Sequence, residues 1–135
     1  MEGTIDVQKN LIRSYRDLRV WQEAIDLAEA CYRATREFPK EELYGMTSQM
    51  RRAAVSVAAN IAEGHGRDGR GEFVQFLRVA QGSLKELETR LLLSQRVEMA
   101  SAKTVGPVLG RCEATGKMLR ALIRSLQKKG VAISQ

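Results

Sequence analysis

The apolar residues between positions 73 and 91 follow the repeat of a helix that packs against other helices. They are spaced alternately four and three residues apart, which places them on one stripe of an α-helix. This spacing is typical of the seam of a helix bundle or a coiled coil, and we predict a helix over about 72–96. The stripe consists of Phe73, Leu77, Ala80, Leu84, Leu87 and Leu91.

Three further segments show the same periodicity and predict helices over about 18–37, 47–63 and 104–128. Few aromatic residues (5%) and many Leu, Ala, Arg and Glu residues also favour helix over strand. The predicted stripes are Leu18, Trp21, Ile25, Ala28 and Tyr32 in the first, Met50, Ala53, Ala54, Val57 and Ile61 in the second, and Val105, Leu109, Cys112, Gly116, Leu119, Ile123 and Leu126 in the last.

Local signals predict where these helices begin and end. Pro39 ends the first, because the residue before a proline disfavours helix. Gly64 is expected to cap the C-terminus of the second. Pro107 is tolerable in the last helix only if Thr104 caps its start.

Four helices of similar length with short connections predict an all-α fold, an antiparallel up-down-up-down four-helix bundle. A chain of 135 residues can bury one such core without disulfides or metals. We predict an N-terminal extension over 1–16, the bundle over 17–128 and a C-terminal tail over 129–135.

The cysteines and the apolar runs limit the class of protein. Cys31 and Cys112 are far apart in sequence and belong to no Cys/His cluster, so neither a zinc site nor a disulfide scaffold is expected. No run reaches the roughly eighteen apolar residues of a membrane span, and the first residues lack the apolar centre of a signal peptide. We expect a cytoplasmic protein without a membrane partner.

The third predicted helix has more apolar residues than one stripe requires. The additional residues are Val74, Phe76, Val79, Leu92 and Leu93. A second apolar face is typical of contact with another subunit, so we predict a homo-oligomer. A thick monomer core is the alternative.

Several strings in their order identify a resemblance to a known family. They are RDLRVWQEAIDLA (16–28), Phe38-Pro39, YGMTSQMRRAAVSVAANIAEGHGR (44–67) and EFVQFLRVAQGSLKELETRL (72–91). Over about residues 16–127 the chain resembles the four-helix bundle proteins encoded in 23S rRNA intervening sequences, also called S23 ribosomal proteins.

The resemblance implies a bacterial cytoplasmic protein that commonly forms ring-like homopentamers and has no established enzyme activity. The family is also similar to the accessory bundle protein of diversity-generating retroelements, a basic pentamer thought to bind nucleic acid and a reverse transcriptase. By this analogy we expect an RNA or DNA partner.

A polar row lies beside the apolar stripe of the second predicted helix. Its members are spaced by steps of four, four and three residues, so they share one face. We interpret the row, with two residues of the next helix, as a hydrogen-bonded network that fixes helix register or a subunit contact; orienting a ligand is the alternative. The network is predicted to comprise Arg52, Ser56, Asn60, Glu63, Ser83 and Glu86.

No residue set points to catalysis, a metal site or a cofactor. His65 is the only histidine and lacks a nucleophile or second metal ligand at a recognisable spacing. The GHGRDGRG loop at 64–71 is not a nucleotide-hydrolysing loop, because no Gly-Lys-Ser/Thr follows. It precedes the N-terminus of a helix, where anions are favoured, so we expect either a phosphate contact or a plain connection.

The positive charge is unevenly distributed along the predicted bundle. The chain has a net charge of +6, and an up-down bundle brings the start of helix one, the loop after helix two and the end of helix four to one end. That end has more basic than acidic residues. At the opposite end the positive and negative charges cancel, and we call it the balanced end. The predicted nucleic-acid-binding residues are Arg13, Arg16, Arg19, Arg67, Arg70, Lys117, Arg120, Arg124 and Lys128.

The sequence leaves two functions open. The first is a non-catalytic, pentameric protein that binds RNA or DNA backbone through the basic end. The second is a protein-interaction scaffold for an acidic or nucleic-acid-bound partner. For the basic stripe on helix four, a solvated helix face is the alternative to binding.

Overall fold

A computed structural model of the chain describes the backbone of residues 12–134 and the side chains of residues 12–128. Within this range the chain forms four long helices and three short helical turns, and no strand. The predicted all-α class is therefore confirmed. The long helices are α1 (Arg19–Thr35), α2 (Ser48–His65), α3 (Arg70–Arg96) and α4 (Ala102–Ser134).

The helices pack as a closed four-helix bundle. Each helix contacts the next one along the chain, and α4 packs back against α1. Because the connections are short, consecutive helices run in opposite directions, which confirms the predicted up-down-up-down arrangement. Side-chain contacts across three of the seams are Arg51 Nε to Thr35 Oγ1 (2.9 Å), Ser56 Oγ to Ser83 Oγ (2.7 Å) and Arg111 Nη1 to Glu23 Oε2 (3.4 Å).

The core is built from the predicted stripes of α2, α3 and α4. Leu77, Leu87 and Leu91 of α3 are almost fully buried, and they meet Met50 and Ile61 of α2 inside the same cluster. Each fully buried Leu or Ile side chain contributes about 1.5–3 kcal/mol relative to an exposed one. The periodicity that predicts these helices is thus the same periodicity that stabilises them.

The predicted stripe of α1 is wrong in part. Ile25 and Tyr32 are 39% and 43% exposed, and small or slender side chains replace them in the core. Both α1 and α2 bury alanines, and the larger residues Ile25 and Tyr32 remain exposed. The residues that α1 buries are Val20, Ala24, Leu27, Ala28, Cys31 and Thr35.

Gly64 does not end α2, contrary to the prediction. It lies inside the helix, is buried, and the helix continues to His65 with Gly66 as its C-cap. A Cβ atom at Gly64 would stand only 2.6 Å from Phe76 Cβ and 3.0 Å from Phe73 Cδ1. The missing side chain is thus a packing requirement, because it lets α2 and α3 approach each other.

Helix α4 begins earlier and ends later than predicted. Ser101, not Thr104, precedes the first turn, and its Oγ accepts a hydrogen bond from the Thr104 backbone N–H at 3.3 Å. Pro107 lies inside the helix and is exposed, so the carbonyl that lacks its N–H partner can bond to water. The helix continues to Ser134, so most of the predicted 129–135 tail extends α4.

Candidate nucleic-acid interface

The start of α1 lies beside the C-terminal half of α4, as the bundle topology predicts. Arg19 lines one cavity of about 360 Å³ together with Met118 and Leu122. Ahead of α1, Ser14 and Asp17 form a capping box around a short turn, in which Asp17 accepts the backbone N–H of Arg13 at 3.0 Å. Chain segments far apart in sequence therefore bring exposed arginines to one end of the bundle.

The loop between α2 and α3 contributes less free charge to this end than its sequence suggests. Arg67 Nη2 bonds to Glu63 Oε2 at 2.7 Å, and its guanidinium carbon lies 4.9 Å from the centre of the Phe76 ring. Arg70 is exposed in the first turn of α3. His65 makes an edge contact with the ring of Phe73, which gives it a packing role.

The basic stripe on α4 extends along the side of the bundle. Lys117, Arg120, Arg124 and Lys128 are all exposed. Gly116 packs against Leu84 of α3, with a distance of 3.4 Å from an added Cβ atom to Leu84 Cδ2, and this contact places the upper part of the stripe beside the middle of α3. The stripe thus begins beside the α3–α4 seam on the side of the bundle and continues to the basic end.

Two α3 residues that the sequence analysis did not select face this stripe. Lys85 lines a cavity with Arg120, and Arg78 is on the same side of α3 because it lies seven residues before Lys85. The seven-residue spacing is visible in the sequence. Which helix lies opposite, however, becomes known only from the packed bundle.

The predicted polar network is smaller in the structure. Asn60 Nδ2 donates to the Ser56 carbonyl at 2.9 Å and to Ser56 Oγ at 3.0 Å, and Ser56 Oγ meets Ser83 Oγ. Glu63 and Glu86 instead form ion pairs with an arginine four residues later, Arg67 in the loop after α2 and Arg90 on α3. Arg52 is exposed. The part-buried group of Ser56, Asn60 and Ser83 links α2 to α3.

Of the five residues of the predicted second face on α3, three are exposed and two are half-buried. Val74 and Phe76 are half-buried, while Val79 and Leu93 are exposed fourteen residues apart. Leu92 lies on another side, in the seam with α4.

A more compact apolar surface lies where α1 meets α2. Arg51 reaches α1 through Thr35 and the Tyr32 carbonyl, so Val55, one turn further along, faces the same seam. Val55 is 45% exposed, and Ile25 and Tyr32 are the exposed large apolar residues of α1. We call Trp21, Ile25, Tyr32 and Val55 the α1–α2 seam.

Burial controls the chemistry of both cysteines. It raises the pKa of Cys31 to about 11 and that of Cys112 to about 12, because a thiolate is poorly solvated in the core. The thiolate is the reactive form, so neither residue is a candidate nucleophile at neutral pH.

We expect the two thiols to react with Ellman's reagent at pH 8 only after unfolding.

The stability of the protein should also fall at high pH. Because the folded-state pKa values of both thiols are raised above the usual 9.0, the contribution of the thiols to stability is complete below pH 9 and is lost as the pH rises towards 11–12. At roughly 1.4 kcal/mol per pKa unit, the full loss is about 3 kcal/mol for Cys31 and about 4 kcal/mol for Cys112. Urea unfolding at pH 8–11 measures it, and a Cys31→Ala/Cys112→Ala variant with an equally steep loss would contradict this cause.

Two general features of the described residues bear on the class of protein. No helix in this part of the chain is long and apolar enough to cross a membrane. The same residues contain no group of three or more His, Cys, Asp or Glu side chains arranged to hold a metal ion.

The fold and its basic surface define a four-helix bundle protein with a polarised positive charge. The family model described as 23S rRNA-intervening sequence protein matches residues 16–121, and the chain belongs to this family. The expected resemblance is thus confirmed.

A solved structure shares the fold. It is the crystal structure of a protein with unknown function from the S23 ribosomal protein family of Bacteroides thetaiotaomicron, with a TM-score of 0.69 and 22% sequence identity. The match covers 77% of this chain and 97% of that one. No curated protein matches the sequence.

Proposed function

We propose that this chain is a non-catalytic, homopentameric protein of the bacterial cytoplasm that binds the backbone of RNA or DNA through its basic surface. The main support is that Arg13, Arg16 and Arg19 lie at the same end of the bundle as the C-terminal half of α4, which carries the stripe, although these segments are about a hundred residues apart in sequence. Concentrated positive charge attracts phosphates over several ångströms and releases counterions on binding.

The composition of the surface favours recognition of shape over recognition of bases. Tyr15 is the aromatic residue nearest the basic α1 start, and its ring is already in edge contact with Trp21 at 5.1 Å. Binding of single strands without sequence preference depends on aromatic stacking platforms. We therefore propose contacts to phosphates of a duplex or a folded RNA.

Self-association is proposed to use the α1–α2 seam. Large apolar side chains that stay exposed in a single subunit are typical of a contact between subunits. In the closed bundle this seam and the α3–α4 seam lie on opposite sides. Assembly through the α1–α2 seam therefore leaves the basic stripe exposed. A ring of subunits would then present several copies of the stripe to one nucleic acid.

Removal of charge from the α4 stripe should weaken nucleic-acid binding and reduce its salt dependence. We expect the triple variant Arg120→Gln/Arg124→Gln/Lys128→Gln to bind duplex DNA or structured RNA at least about tenfold more weakly. The slope of log K against log salt should fall by about 0.9 for each phosphate that the variant no longer neutralises. Electrophoretic mobility shifts across a salt series measure both quantities.

The matched control removes the same charge from the balanced end. Arg36, Lys40 and Arg96 are exposed there, so the variant Arg36→Gln/Lys40→Gln/Arg96→Gln should retain the binding and the slope of the unmodified chain. Equal weakening by both triple variants would show a general effect of net charge. Absence of wild-type binding even at low salt would rule out the proposed function.

A protein partner is the second candidate, and one observation favours it. Tyr44 is 91% exposed and Leu43 is 45% exposed in the turn between α1 and α2, at the balanced end. Exposed tyrosines are enriched among the residues that dominate protein interfaces. Retention of a partner protein by the wild type and its loss in Tyr44→Ala, with nucleic-acid binding unchanged, would support this function.

A further inference from the structure

The seam between α3 and α4 contains a groove that is open to solvent. A cavity of about 310 Å³ adjoins a second one of about 450 Å³, and both are lined by Lys85, Gly116 and Arg120. Since they share these walls, the two cavities form one continuous depression. Its other walls include Gly82 in the first cavity and Leu92, Leu109 and Glu113 in the second.

Glycine keeps the first half of this depression open. A Cβ atom at Gly82 would meet no atom within 4 Å, so packing within the subunit does not require glycine there. Glycine in the middle of a helix costs roughly 0.5–1 kcal/mol relative to alanine. Without a side chain at position 82, an external group can approach the backbone of α3.

The two halves of the groove differ in charge. Arg120 has no carboxylate within 4 Å among the described residues, and Lys85 is bound by Glu88 on its own helix at 3.0 Å. Glu88 and Glu113 both line the second half. Lys85 and Arg120 line the second half as well, where the two carboxylates balance their charge, so an anion is favoured in the first half, beside Gly82.

The cations continue from the first half of the groove towards the basic end. Arg120, Arg124 and Lys128 are spaced by four residues, or about 6 Å along the helix axis at 1.5 Å per residue. Arg78 extends the opposite wall in the same direction. Such a row suits a ligand with regularly repeated negative charges better than a single small anion.

We propose that the first half of this groove, between Gly82, Lys85 and Arg120, receives the phosphate backbone of one strand of a duplex or folded RNA. This inference rests on the proposed function and adds where the strand lies: along the side of the bundle, with Arg120 contacting a phosphate and Gly82 allowing its close approach. The walls of this half, Gln81, Gly82, Leu84, Lys85, Gly116 and Arg120, include no aromatic residue, so the contact is to the backbone.

Filling the groove without a change of charge tests the proposal. We expect Gly82→Leu to weaken binding of a fluorescently labelled duplex at low salt by at least about tenfold, because the new side chain occupies the space of the strand. Gly106→Leu is the matched control, since Gly106 is another exposed helical glycine with no atom within 4 Å of an added Cβ, at the far end of α4. It should bind like the wild type.

Fluorescence anisotropy and circular dichroism on the same samples separate the outcomes. Arg120→Gln should lower the affinity as Gly82→Leu does, with helicity unchanged in both variants. Wild-type affinity of folded Gly82→Leu, or a tenfold preference of the wild type for single strands over duplex, overturns the groove assignment and leaves the proposed function standing. Absence of wild-type binding at low salt overturns both.

Discussion

Gly64→Ala should destabilise the bundle by about 1–3 kcal/mol, the usual cost of overpacking a close contact. The new Cβ atom would be 2.6 Å from Phe76 Cβ and 3.3 Å from the Phe73 carbonyl oxygen. Neither of these atoms can move by rotation of a side chain, so α3 must shift away from α2. Because these two helices share an extensive contact, such a shift also disturbs the packing of Ile61 and Leu77.

The control exchanges glycine for alanine where the packing is open. Gly110 is exposed inside α4, and its added Cβ atom would meet nothing within 4 Å. Gly110→Ala should stabilise the protein by roughly 0.5–1 kcal/mol, because alanine loses less backbone entropy in a helix. The same chemical change is thus expected to have opposite signs at the two positions.

Urea unfolding followed by circular dichroism at one fixed protein concentration measures both effects. A fixed concentration is required because self-association would add to the apparent stability. If Gly64→Ala were as stable as Gly110→Ala, the close approach of α2 and α3 at Gly64 would be incorrect.

The example of Gly64 shows which part of the fold the sequence could predict. Apolar periodicity locates the helices, because a buried stripe must recur every three or four residues. A glycine near the end of a periodic segment has two interpretations, a C-terminal cap or a site of close helix contact. Only the neighbouring helix decides between them, and here Phe73 and Phe76 belong to that neighbour.

Helix α1 shows a second limit. Its sequence contains two stripes that could each face a core, one with Trp21, Ile25 and Tyr32 and one with Ala24, Leu27 and Cys31. Hydrophobicity alone favours the first, which has the larger side chains. The bundle buries the second because α2 and α4 pack on that side of α1.

The candidate interface was predictable on one helix but not across two. Steps of three and four residues from Lys117 to Lys128 are sufficient to identify a basic stripe from the sequence alone. Its partners Lys85 and Gly82 lie on α3, more than thirty residues earlier in the sequence. Only the packing of the bundle shows that they face the stripe. The sequence alone can thus predict a charged helix face. It cannot predict a groove, because the walls of a groove come from two different helices.

Ile25→Asp should convert the proposed oligomer into monomers. Ile25 is half-exposed in a single subunit, so a carboxylate there can remain hydrated and the bundle should fold. In an apolar contact between subunits the same carboxylate would lose its water without gaining a partner, a cost of several kcal/mol at each interface. Light scattering should therefore give the mass of one chain for the variant and a multiple of it for the wild type.

Val79→Asp is the control for the surface first predicted from the sequence. Val79 is 52% exposed on α3, so the substitution adds the same charge to an apolar residue outside the α1–α2 seam. Its assembly should match that of the wild type. If Val79→Asp dissociated while Ile25→Asp remained assembled, the contact between subunits would lie on α3. The proposed contact through the α1–α2 seam would then be wrong.

The monomeric variant should also bind long duplexes more weakly, although it retains every basic residue. Linked copies of a weak site raise the apparent affinity by a factor of about 10²–10⁴ when all can contact one ligand. We therefore expect Ile25→Asp to lose at least about a hundredfold in affinity for a long duplex. Its affinity for a duplex too short to reach a second subunit should be nearly unchanged. Equal losses for both lengths would show that the seam contributes to binding directly, and not through the number of grooves that one duplex reaches.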